Sequence, residues 1–333
     1  MAHGRKSVLI TGGLGFIGSH LAEFLLQKGY DVAIYDNNTN GNNEDNIRAC
    51  WNYPGFLFFL SDVRDKHALE SAMNKTNPDF VFHLAAKIHW EESINYPVDA
   101  YEVSALGTMR VLEAVREFRT PFMLYASSSE VYGSAQNIPM TELHPLNPQS
   151  PYAAGKVAGD RLCAGYWNVY KTPVVVLRQF NTYGPRQRPK GYSAVIPRFI
   201  SRVVNEKPPI IFGDGTQTRD FHYIDDLLDA YKRIIETLEK EPDKVLGKVM
   251  NFGTGKETSI NELAKMTIDI VNEKLENVKI KKLQPVHGAK RPGEVHRFAA
   301  DISLAKQLLS FTPKISLREG LTRYIDWYLK GHE

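Results

Sequence analysis

Tyr152 and Lys156 are the two side chains whose types and spacing most clearly suggest chemistry. They lie four residues apart, which places them on one face of a helix, and Pro151 just before them suits the first helical turn. A cation near a phenol favours the phenolate and lowers the pKa of the phenol. The pair therefore predicts a tyrosine that acts as a base near neutral pH, the alternative being an ordinary solvated helix face.

A polar run with the sequence SSSEVYG, residues 127–133, follows a predicted strand at residues 122–126. Reactive groups of parallel sheets collect just beyond the carboxyl ends of the strands, which makes Ser128 a candidate proton relay. If the extended geometry continues, Ser128 and Glu130 point to one side and Ser129 to the other. The alternatives are turn chemistry for the serines and solvent exposure for the glutamate.

Three glycines, Gly12, Gly15 and Gly18, follow the first predicted strand and open a helix. Glycines let a backbone approach a pyrophosphate closely, while a helix N-terminus offers free amide groups and partial positive charge. Asp36 ends the next strand at a separation of about 20 residues, where an acid can bind a ribose. This acid would repel a 2′-phosphate and no arginine follows it, so the pattern predicts NAD rather than NADP. A glycine-rich turn with a capping acid and no cofactor is the alternative.

Strand-like apolar runs alternate with helical stretches through the first half of the chain, a rhythm typical of a parallel sheet covered by helices. After Leu177 prolines interrupt several short segments before a helical pattern resumes at residues 225–238. We therefore predict an α/β protein with a Rossmann-type doubly wound parallel sheet and a smaller α/β C-terminal domain. The predicted strands are residues 8–10, 32–35, 56–60, 80–84, 122–126 and 174–177.

The composition restricts the class of protein. The 333 residues carry 41 Lys+Arg and 38 Asp+Glu, a net charge of +3 that indicates no nucleic-acid surface. Cys50 and Cys163 have no metal-like spacing and form no redox motif, so we expect no metal site, no disulfides and a reducing compartment. No apolar stretch has the length of a membrane span or a signal-peptide core. These features predict a cytoplasmic protein of enzyme size.

With three further motifs, the sequence resembles the extended short-chain dehydrogenase/reductase superfamily, specifically its NAD-dependent nucleotide-sugar epimerases and dehydratases. The resemblance covers nearly the whole chain. The further motifs are Asn181-Thr182-Tyr183-Gly184-Pro185-Arg186, Gly213-Asp214-Gly215-Thr216-Gln217-Thr218-Arg219-Asp220-Phe221 and Arg291-Pro292-Gly293-Glu294.

The resemblance implies a first step in which Tyr152, assisted by Ser128, removes the proton of a sugar 4-hydroxyl while the C4 hydride passes to the nicotinamide. Lys156 would hold the nicotinamide ribose and tune Tyr152. The residues expected to bind NAD are Gly12, Gly15, Phe16, Ile17, Gly18, Asp36, Asn37, Asn38, Asp62, Val63, Leu84, Ala85, Ala86, Tyr152 and Lys156.

Glu130 distinguishes the fates of the resulting 4-keto sugar. Elimination needs a base for the C5 proton that C4 epimerisation does not need, and a glutamate here resembles dehydratases and glucuronate decarboxylases. We therefore predict an NAD-dependent nucleotide-sugar 4,6-dehydratase. A UDP-hexose 4-epimerase, for glucose/galactose or their N-acetyl forms, is the first alternative and a UDP-glucuronate decarboxylase the second. A catalytically silent sensor of NAD or sugar nucleotides is the alternative from a different class.

Local patterns favour different members of the family. His89 and Ser93 resemble the dTDP-glucose dehydratase pattern. Ser129, however, replaces the aspartate that protonates the leaving hydroxyl in those enzymes, an arrangement closer to the GDP-mannose dehydratases. Residues 291–294, together with residues 301–306, resemble many C4 epimerases.

The resemblance also assigns a nucleotide-diphosphate sugar as substrate. Arg219 and Arg291 would bind the diphosphate, because a guanidinium matches two phosphate oxygens. The alternative is that these are surface arginines paired with Asp220 or Glu294. The residues expected to bind the substrate are Lys87, His89, Ser129, Asn181, Val195, Ile196, Arg198, Arg219 and Arg291.

The expected domains follow from these assignments. The NAD-binding domain is predicted over residues 1–180, with residues 221–250 returning to it. The nucleotide-sugar-binding domain is predicted over residues 181–220 and 251–333. By analogy with relatives, helices over residues 100–118 and 151–170 are expected to pair across a two-fold axis and form a homodimer.

Overall fold

The computed structural model describes residues 4–39, 43–88, 90–187, 194–291 and 295–331. The chain forms two units. The first unit contains Met1–Val131, Ser150–Arg178 and Leu228–Met250, and the second contains Tyr132–Gln149, Gln179–Leu227 and Asn251–Glu333. Residues 132–149, which the sequence analysis includes in the first domain, thus lie in the second unit. The assignment of cofactor and substrate binding to separate domains stays a prediction.

Within the described residues, seven strands form one large sheet, and three pairs of short strands lie elsewhere. The order of the large sheet is β11-β6-β5-β4-β1-β2-β3, and β1 pairs in parallel with both β2 and β4. The strands are β1 Ser7–Thr11, β2 Asp31–Asp36, β3 Phe56–Leu60, β4 Phe80–His83, β5 Phe122–Ser128, β6 Val174–Gln179, β7 Asn181–Tyr183, β8 Ile210–Phe212, β9 Thr218–Arg219, β10 Phe221–Tyr223, β11 Val249–Phe252, β12 Thr258–Ser259 and β13 Val286–Gly288.

The helices cover the sheet and complete the second unit. A π-helical turn, Glu102–Leu106, lies between the fourth and fifth helices. The helices are α1 Phe16–Gln27, α2 Lys66–Thr76, α3 Trp90–Asn95, α4 Pro97–Tyr101, α5 Gly107–Glu117, α6 Pro151–Tyr170, α7 Val195–Val204, α8 Ile224–Lys240, α9 Ile260–Leu275, α10 Val278–Lys281, α11 Ser303–Leu309 and α12 Leu317–Leu329.

The strand order places the connections where a cofactor can bind. The chain proceeds from β1 to β2 and β3 on one side and crosses to β4, β5 and β6 on the other. In doubly wound sheets this reversal creates a crevice beyond the carboxyl ends of the two central strands. The predicted α/β class with a Rossmann-type parallel sheet is therefore confirmed. The strand β11 was not predicted.

Buried apolar residues explain why these segments form central strands. Every residue of β1 and of β6 is buried, as expected of strands covered by helices on both faces. One core cluster packs Leu9 of β1 and Val81 of β4 with Val111 and Val115 of α5. The carboxyl ends of the strands are thereby fixed relative to the helices that follow them.

Helix α6 is attached to the sheet by a cap and a buried ion pair. The Ser150 hydroxyl caps its N-terminus by accepting a hydrogen bond from the amide of Ala153 at 3.1 Å. One turn beyond Lys156, the buried carboxylate of Asp160 accepts hydrogen bonds from Arg178 Nε at 2.9 Å and Ser127 Oγ at 3.0 Å. Since Ser127 and Arg178 lie near the ends of β5 and β6, these contacts fix the helix that carries Tyr152 and Lys156.

The second unit is organised around a buried aspartate. The Asp220 carboxylate accepts hydrogen bonds from the backbone amides of Thr254, Gly255 and Ala300 at 2.7–3.0 Å. In the described part of the chain, no helix combines the length and apolar character needed to cross a bilayer.

Candidate functional site

The turn after β1 has room for glycine and for little else. Gly12 has φ of +73°, and a Cβ there would lie 2.7 Å from the amide nitrogen of Ala85. A Cβ on Gly18 would lie 2.3 Å from Gly12 O, so α1 packs closely against the turn. On Gly15 a Cβ would meet only Gly12 O, at 3.2 Å. The turn is therefore tight on its inner side and open at Gly15, where α1 begins.

The open side of this turn suits an anion. Phe16 and Ile17 are the first residues of α1, and no side chain caps the helix at Gly15. The first amide groups of a helix have no partner within the helix, and the helix dipole adds partial positive charge. A pyrophosphate at this position would satisfy both features.

Asp36 ends β2 beside the same turn. Its carboxylate accepts hydrogen bonds from the amides of Leu14 at 3.1 Å and Asn38 at 2.8 Å. Burial raises the pKa of Asp36, and the two amide hydrogen bonds oppose that rise. An ionised carboxylate offers about four acceptor positions, so two further hydrogen bonds from ribose hydroxyls fit.

We expect Asp36→Asn to reduce the preference for NAD over NADP. The neutral amide loses charge-assisted hydrogen bonds to the ribose and no longer repels a 2′-phosphate, so the ratio of the two dissociation constants should fall by about tenfold or more. Titration of the protein with each dinucleotide measures this ratio. Asp45→Asn, a change at an exposed acid, is the matched control. An unchanged ratio would contradict the assignment of Asp36 to the ribose.

Asn37, Asp62 and Val63 lie together beyond β2 and β3. Asn37 Nδ2 donates to the Asp62 carboxylate at 2.8 Å. Partial burial alone would raise the pKa of Asp62, but hydrogen bonds from Arg64 and Asn37 outweigh burial and lower it to about 2. Val63 is buried against α5, where a Cβ on Gly107 would lie 2.7 Å from it. Asp62 therefore stays ionised at neutral pH.

The segment after β4 contains Leu84, Ala85, Ala86 and Lys87. The Leu84 amide donates to Thr11 O at 3.0 Å, so the segment continues beside the turn after β1. The Lys87 ammonium lies 2.9 Å from carboxylate oxygens of both Glu92 and Asp99. Two ion pairs thus hold the side chain that was expected to bind substrate. His89 lies outside the described residues.

Ser128, Glu130 and Tyr152 come together at the carboxyl end of β5. The Ser128 side chain hydrogen-bonds to the Tyr152 phenol, and Glu130 is close enough to act on the phenol through its charge. A short 3-10 helix begins at Ser129, and the Glu130 amide donates to Ser128 Oγ at 3.2 Å. The extended geometry therefore ends at Ser128, and the alternation that depended on its continuing does not apply. Ser129 is buried, with 2% of its surface exposed.

The electrostatics of Tyr152 differ from the sequence-based expectation. Burial raises the pKa of Tyr152 to about 12, the Ser128 hydrogen bond lowers it, and the Glu130 charge raises it further. Lys156 donates from Nζ to Ala126 O at 2.7 Å, and burial lowers its pKa to about 8. The sequence predicts a Tyr152 pKa lowered toward neutrality, whereas burial, the largest influence on this phenol, acts in the opposite direction.

The second unit contains a cavity of about 190 Å³ that includes most of the predicted substrate residues. Asn181 Oδ1 is buried at this cavity and has no hydrogen-bond partner among the described residues. Val195 and Ile196, the first residues of α7, also line it. The predicted residues that line the cavity are Asn181, Val195, Ile196, Arg219 and Arg291.

Two arginines of the second unit lie against the ring of Phe212. The Arg291 guanidinium lies 4.0 Å and that of Arg198 5.4 Å from the centre of the Phe212 ring. Arg219 Nη1 donates to the carbonyl oxygens of Thr218 at 2.8 Å and Val295 at 2.9 Å. The cavity thus has guanidinium groups held by a ring and by backbone oxygens.

The sequence analysis left open that Arg219 pairs with Asp220 and Arg291 with Glu294. Backbone amides of three other residues and the Thr254 hydroxyl surround the Asp220 carboxylate. Glu294 lies outside the described residues. Phe212 was not predicted, because Pro208 and Pro209 directly precede the short strand β8 that carries it and interrupt the apolar pattern. Its position just before the Gly213 motif was the available signal.

Comparison with known proteins gives a consistent result. Residues 9–324 match the family model described as GDP-mannose 4,6 dehydratase. A putative UDP-glucose 4-epimerase of Methanocaldococcus jannaschii is 38% identical, over 96% of this chain and 97% of the relative. The structure of UDP-glucose 4-epimerase from Thermotoga maritima with UDP-glucose has a TM-score of 0.88 at 31% identity, covering 98% of this chain and 100% of that one.

A dehydratase is also among the similar structures. DesIV, a dTDP-glucose 4,6-dehydratase from Streptomyces venezuelae solved with NAD, has a TM-score of 0.87 at 28% identity and covers 98% of this chain and 97% of that one. These similarities and the site define an extended short-chain dehydrogenase/reductase, an NAD-dependent enzyme of the nucleotide-sugar epimerase and dehydratase class. Within that class, the chain belongs to the GDP-mannose 4,6-dehydratase family.

The residues of the first unit fit NAD. The uncapped start of α1 at Gly15 suits a pyrophosphate, and Asp36 has acceptor capacity for a ribose. The tight approach of Gly12 to Ala85 leaves the open side of the turn as the place for the dinucleotide backbone.

Proposed function

We propose that this enzyme is a 4,6-dehydratase of a nucleotide-diphosphate hexose that acts through a 4-keto sugar. The observation that carries this proposal is the carboxylate of Glu130, which lies just after the carboxyl end of β5 and whose charge raises the pKa of the Tyr152 phenol. Oxidation at C4 requires only a group that takes the hydroxyl proton. A carboxylate at the same place supplies the second acid–base group that elimination requires.

Tyr152 and Ser128 act in the first step. Tyr152 takes the proton from the sugar 4-hydroxyl, and the Ser128 hydroxyl, already hydrogen-bonded to that phenol, stabilises the phenolate. NAD, when bound, supplies a nicotinamide ring that accepts a hydride from the sugar carbon and returns it later. Lys156 is fixed by its hydrogen bond to Ala126 O and would hold the nicotinamide ribose.

Glu130 acts after C4 is oxidised. The 4-keto group acidifies the C5 proton, which the Glu130 carboxylate takes. The protonated Glu130 then gives its proton to the 6-hydroxyl, which leaves as water as a C5=C6 double bond forms. The hydride taken from C4 would return to C6 and a solvent-derived proton would add at C5, which gives the 4-keto-6-deoxy sugar. One carboxyl group thus performs both transfers. The use of one carboxyl group for both proton transfers agrees with the residue at position 129, a buried serine that has no carboxyl group to donate a proton.

We propose that the cavity of the second unit binds the nucleotide diphosphate. Arg219 and Arg291 would meet the phosphates, since guanidinium groups form paired hydrogen bonds to phosphate oxygens. The unpartnered Oδ1 of Asn181 and the first amides of α7, at Val195 and Ile196, offer an acceptor and donors for a base or sugar.

A 4-epimerase is the second candidate. The 38% identity with the Methanocaldococcus jannaschii protein and the similarity to the Thermotoga maritima epimerase support it. In that reaction Tyr152 and Ser128 act as above and Glu130 transfers no proton. The decarboxylase has less support, because Lys87, a cation expected to bind the substrate, is held in two ion pairs.

One assay separates these reactions. The enzyme is incubated with UDP-, dTDP- and GDP-hexoses in deuterated water, and product mass and position of deuterium are determined. A product that has lost water and gained deuterium at C5 supports the dehydratase. A product of unchanged mass with inverted C4 establishes the epimerase instead, and no turnover with any of these sugars favours a sensor.

We also propose that the chain forms a homodimer through α4, α5 and α6. Apolar side chains on α4 and α6 are exposed, namely Val98, Tyr101, Val169 and Tyr170. Four exposed apolar side chains on two helices favour burial against a partner. Light scattering at working concentration tests this, and a monomeric mass would contradict it.

A further inference from the structure

His83, the last residue of β4, is a buried histidine whose two ring nitrogens both have partners. Nδ1 lies 2.7 Å from the hydroxyl of Thr11, and Nε2 lies 3.0 Å from the hydroxyl of Thr108. Its side chain has no exposed surface. Neither catalysis nor cofactor contact, as described above, uses this residue.

The surrounding hydrogen bonds define where each proton lies. The Thr108 hydroxyl donates to Ser104 O at 2.6 Å, so toward His83 it can only accept, and Nε2 carries the ring proton. Nδ1 is then an acceptor for the Thr11 hydroxyl. The Thr11 oxygen in turn accepts from the Ala85 amide at 3.3 Å. The result is one continuous series of hydrogen bonds that runs from the Ala85 amide to Ser104 O through the neutral imidazole of His83.

Two of the connected residues lie at the close approach of Gly12 to Ala85 in the cofactor region. Thr11 immediately precedes Gly12, and Ala85 is the residue whose amide nitrogen would lie 2.7 Å from a Cβ on Gly12. The hydroxyl of Thr11 therefore joins the turn after β1 to the segment after β4. Its own orientation depends on the acceptor that His83 supplies.

We propose that His83 is a positioning residue for NAD, which sets the separation of the turn after β1 and the segment after β4 by orienting the Thr11 hydroxyl toward Nδ1. Its neutral state is consistent with the surroundings. The His83 ring lies 5.6 Å from the Tyr125 ring, and the Lys156 ammonium lies 5.1 Å from that same ring. Burial and the Lys156 charge lower the pKa of His83 to about 3.

The test measures NAD binding to the protein without sugar substrate. Thr11→Val removes the hydroxyl at constant shape, and His83→Leu removes its acceptor. Each change should weaken NAD binding by about tenfold, as expected for loss of one or two buried hydrogen bonds. Because both changes break the same series of hydrogen bonds, their effects should not add. The double variant should bind NAD about as strongly as the weaker of the two single variants.

A conservative variant and a control separate positioning from general stability. His83→Asn keeps an acceptor near the position of Nδ1, so NAD binding should recover to within about threefold of the wild type. Ser7→Ala removes a buried hydroxyl that bonds Thr76 O at the other end of β1. It should lower the midpoint of urea unfolding without changing NAD affinity.

The outcomes that would overturn the proposal are specific. If Thr11→Val and His83→Leu lower stability as Ser7→Ala does and leave NAD affinity unchanged, the histidine is only structural. Nitrogen-15 NMR of the wild-type histidines tests the proton assignment even where a variant fails to fold. The expected signal is a neutral Nε2–H tautomer at pH 7, and an Nδ1–H tautomer or a charged ring would refute the assignment.

Discussion

Replacing Tyr152 by phenylalanine is expected to lower kcat by about a thousandfold or more while NAD affinity changes by less than about threefold. The substitution keeps the ring that packs in the site and removes only the hydroxyl that accepts the sugar proton. The Ser128 hydroxyl, which lowers the pKa of that phenol, is too weak a base to take the sugar proton in its place. Turnover by product mass and NAD binding by titration are the two measurements.

The pH dependence gives this prediction a second readout. A base must be deprotonated to act, so kcat/KM of the wild type should rise with pH over the range in which Tyr152 ionises. In this structure the pKa of Tyr152 is about 12, raised mainly by burial. The rising limb should disappear in Tyr152→Phe. Tyr96→Phe, at an exposed position after α3, is the control. Retention of a tenth of wild-type kcat by Tyr152→Phe would refute the assignment.

Replacing Glu130 by glutamine is expected to lower the rate of elimination by about a hundredfold or more and to leave the rate of oxidation at C4 nearly unchanged. The amide has the shape of the carboxyl group but cannot take the C5 proton. A single turnover should therefore accumulate reduced nicotinamide together with a 4-keto sugar that retains its 6-hydroxyl. Removal of the negative charge should also lower the pKa of Tyr152, because Glu130 raises it.

Absorbance of reduced nicotinamide and solvent deuterium at C5 measure the two halves of this prediction. Glu117→Gln, at an exposed position of α5, is the matched control and should behave as wild type. Full product formation by Glu130→Gln would show that elimination uses another base. If the wild type inverts C4 and this variant does so equally well, the epimerase candidate replaces the dehydratase.

The sheet was accessible from the sequence because its strands are short buried apolar runs between turn residues. The centre of β1, residues 8–10, and the first four residues of β6, residues 174–177, are uninterrupted apolar runs, a pattern typical of strands covered on both faces. The strand β11 escaped notice because it is four residues long and includes the buried polar residue Asn251. Its place beside β6 results from tertiary packing rather than from a local pattern.

The site was accessible only in part. Spacing predicted which groups lie on one helix face, but the geometry after β5 depends on a 3-10 helix that begins at Ser129. The pKa of Tyr152 depends on burial, which no spacing reveals. Lys87 was similarly read as a substrate contact, whereas the partners Glu92 and Asp99 come from two later helices.

The buried pair of Asp160 and Arg178 limits how this enzyme can change. Loss of either partner breaks this buried ion pair, which typically costs about 3–5 kcal/mol, comparable to much of the stability of a domain. Viable descendants of the chain must therefore keep both residues or replace both together. Diversification of the reaction should then concentrate in the short turn at Ser129 and Glu130, where a new side chain alters acid–base chemistry without disturbing the support beneath it.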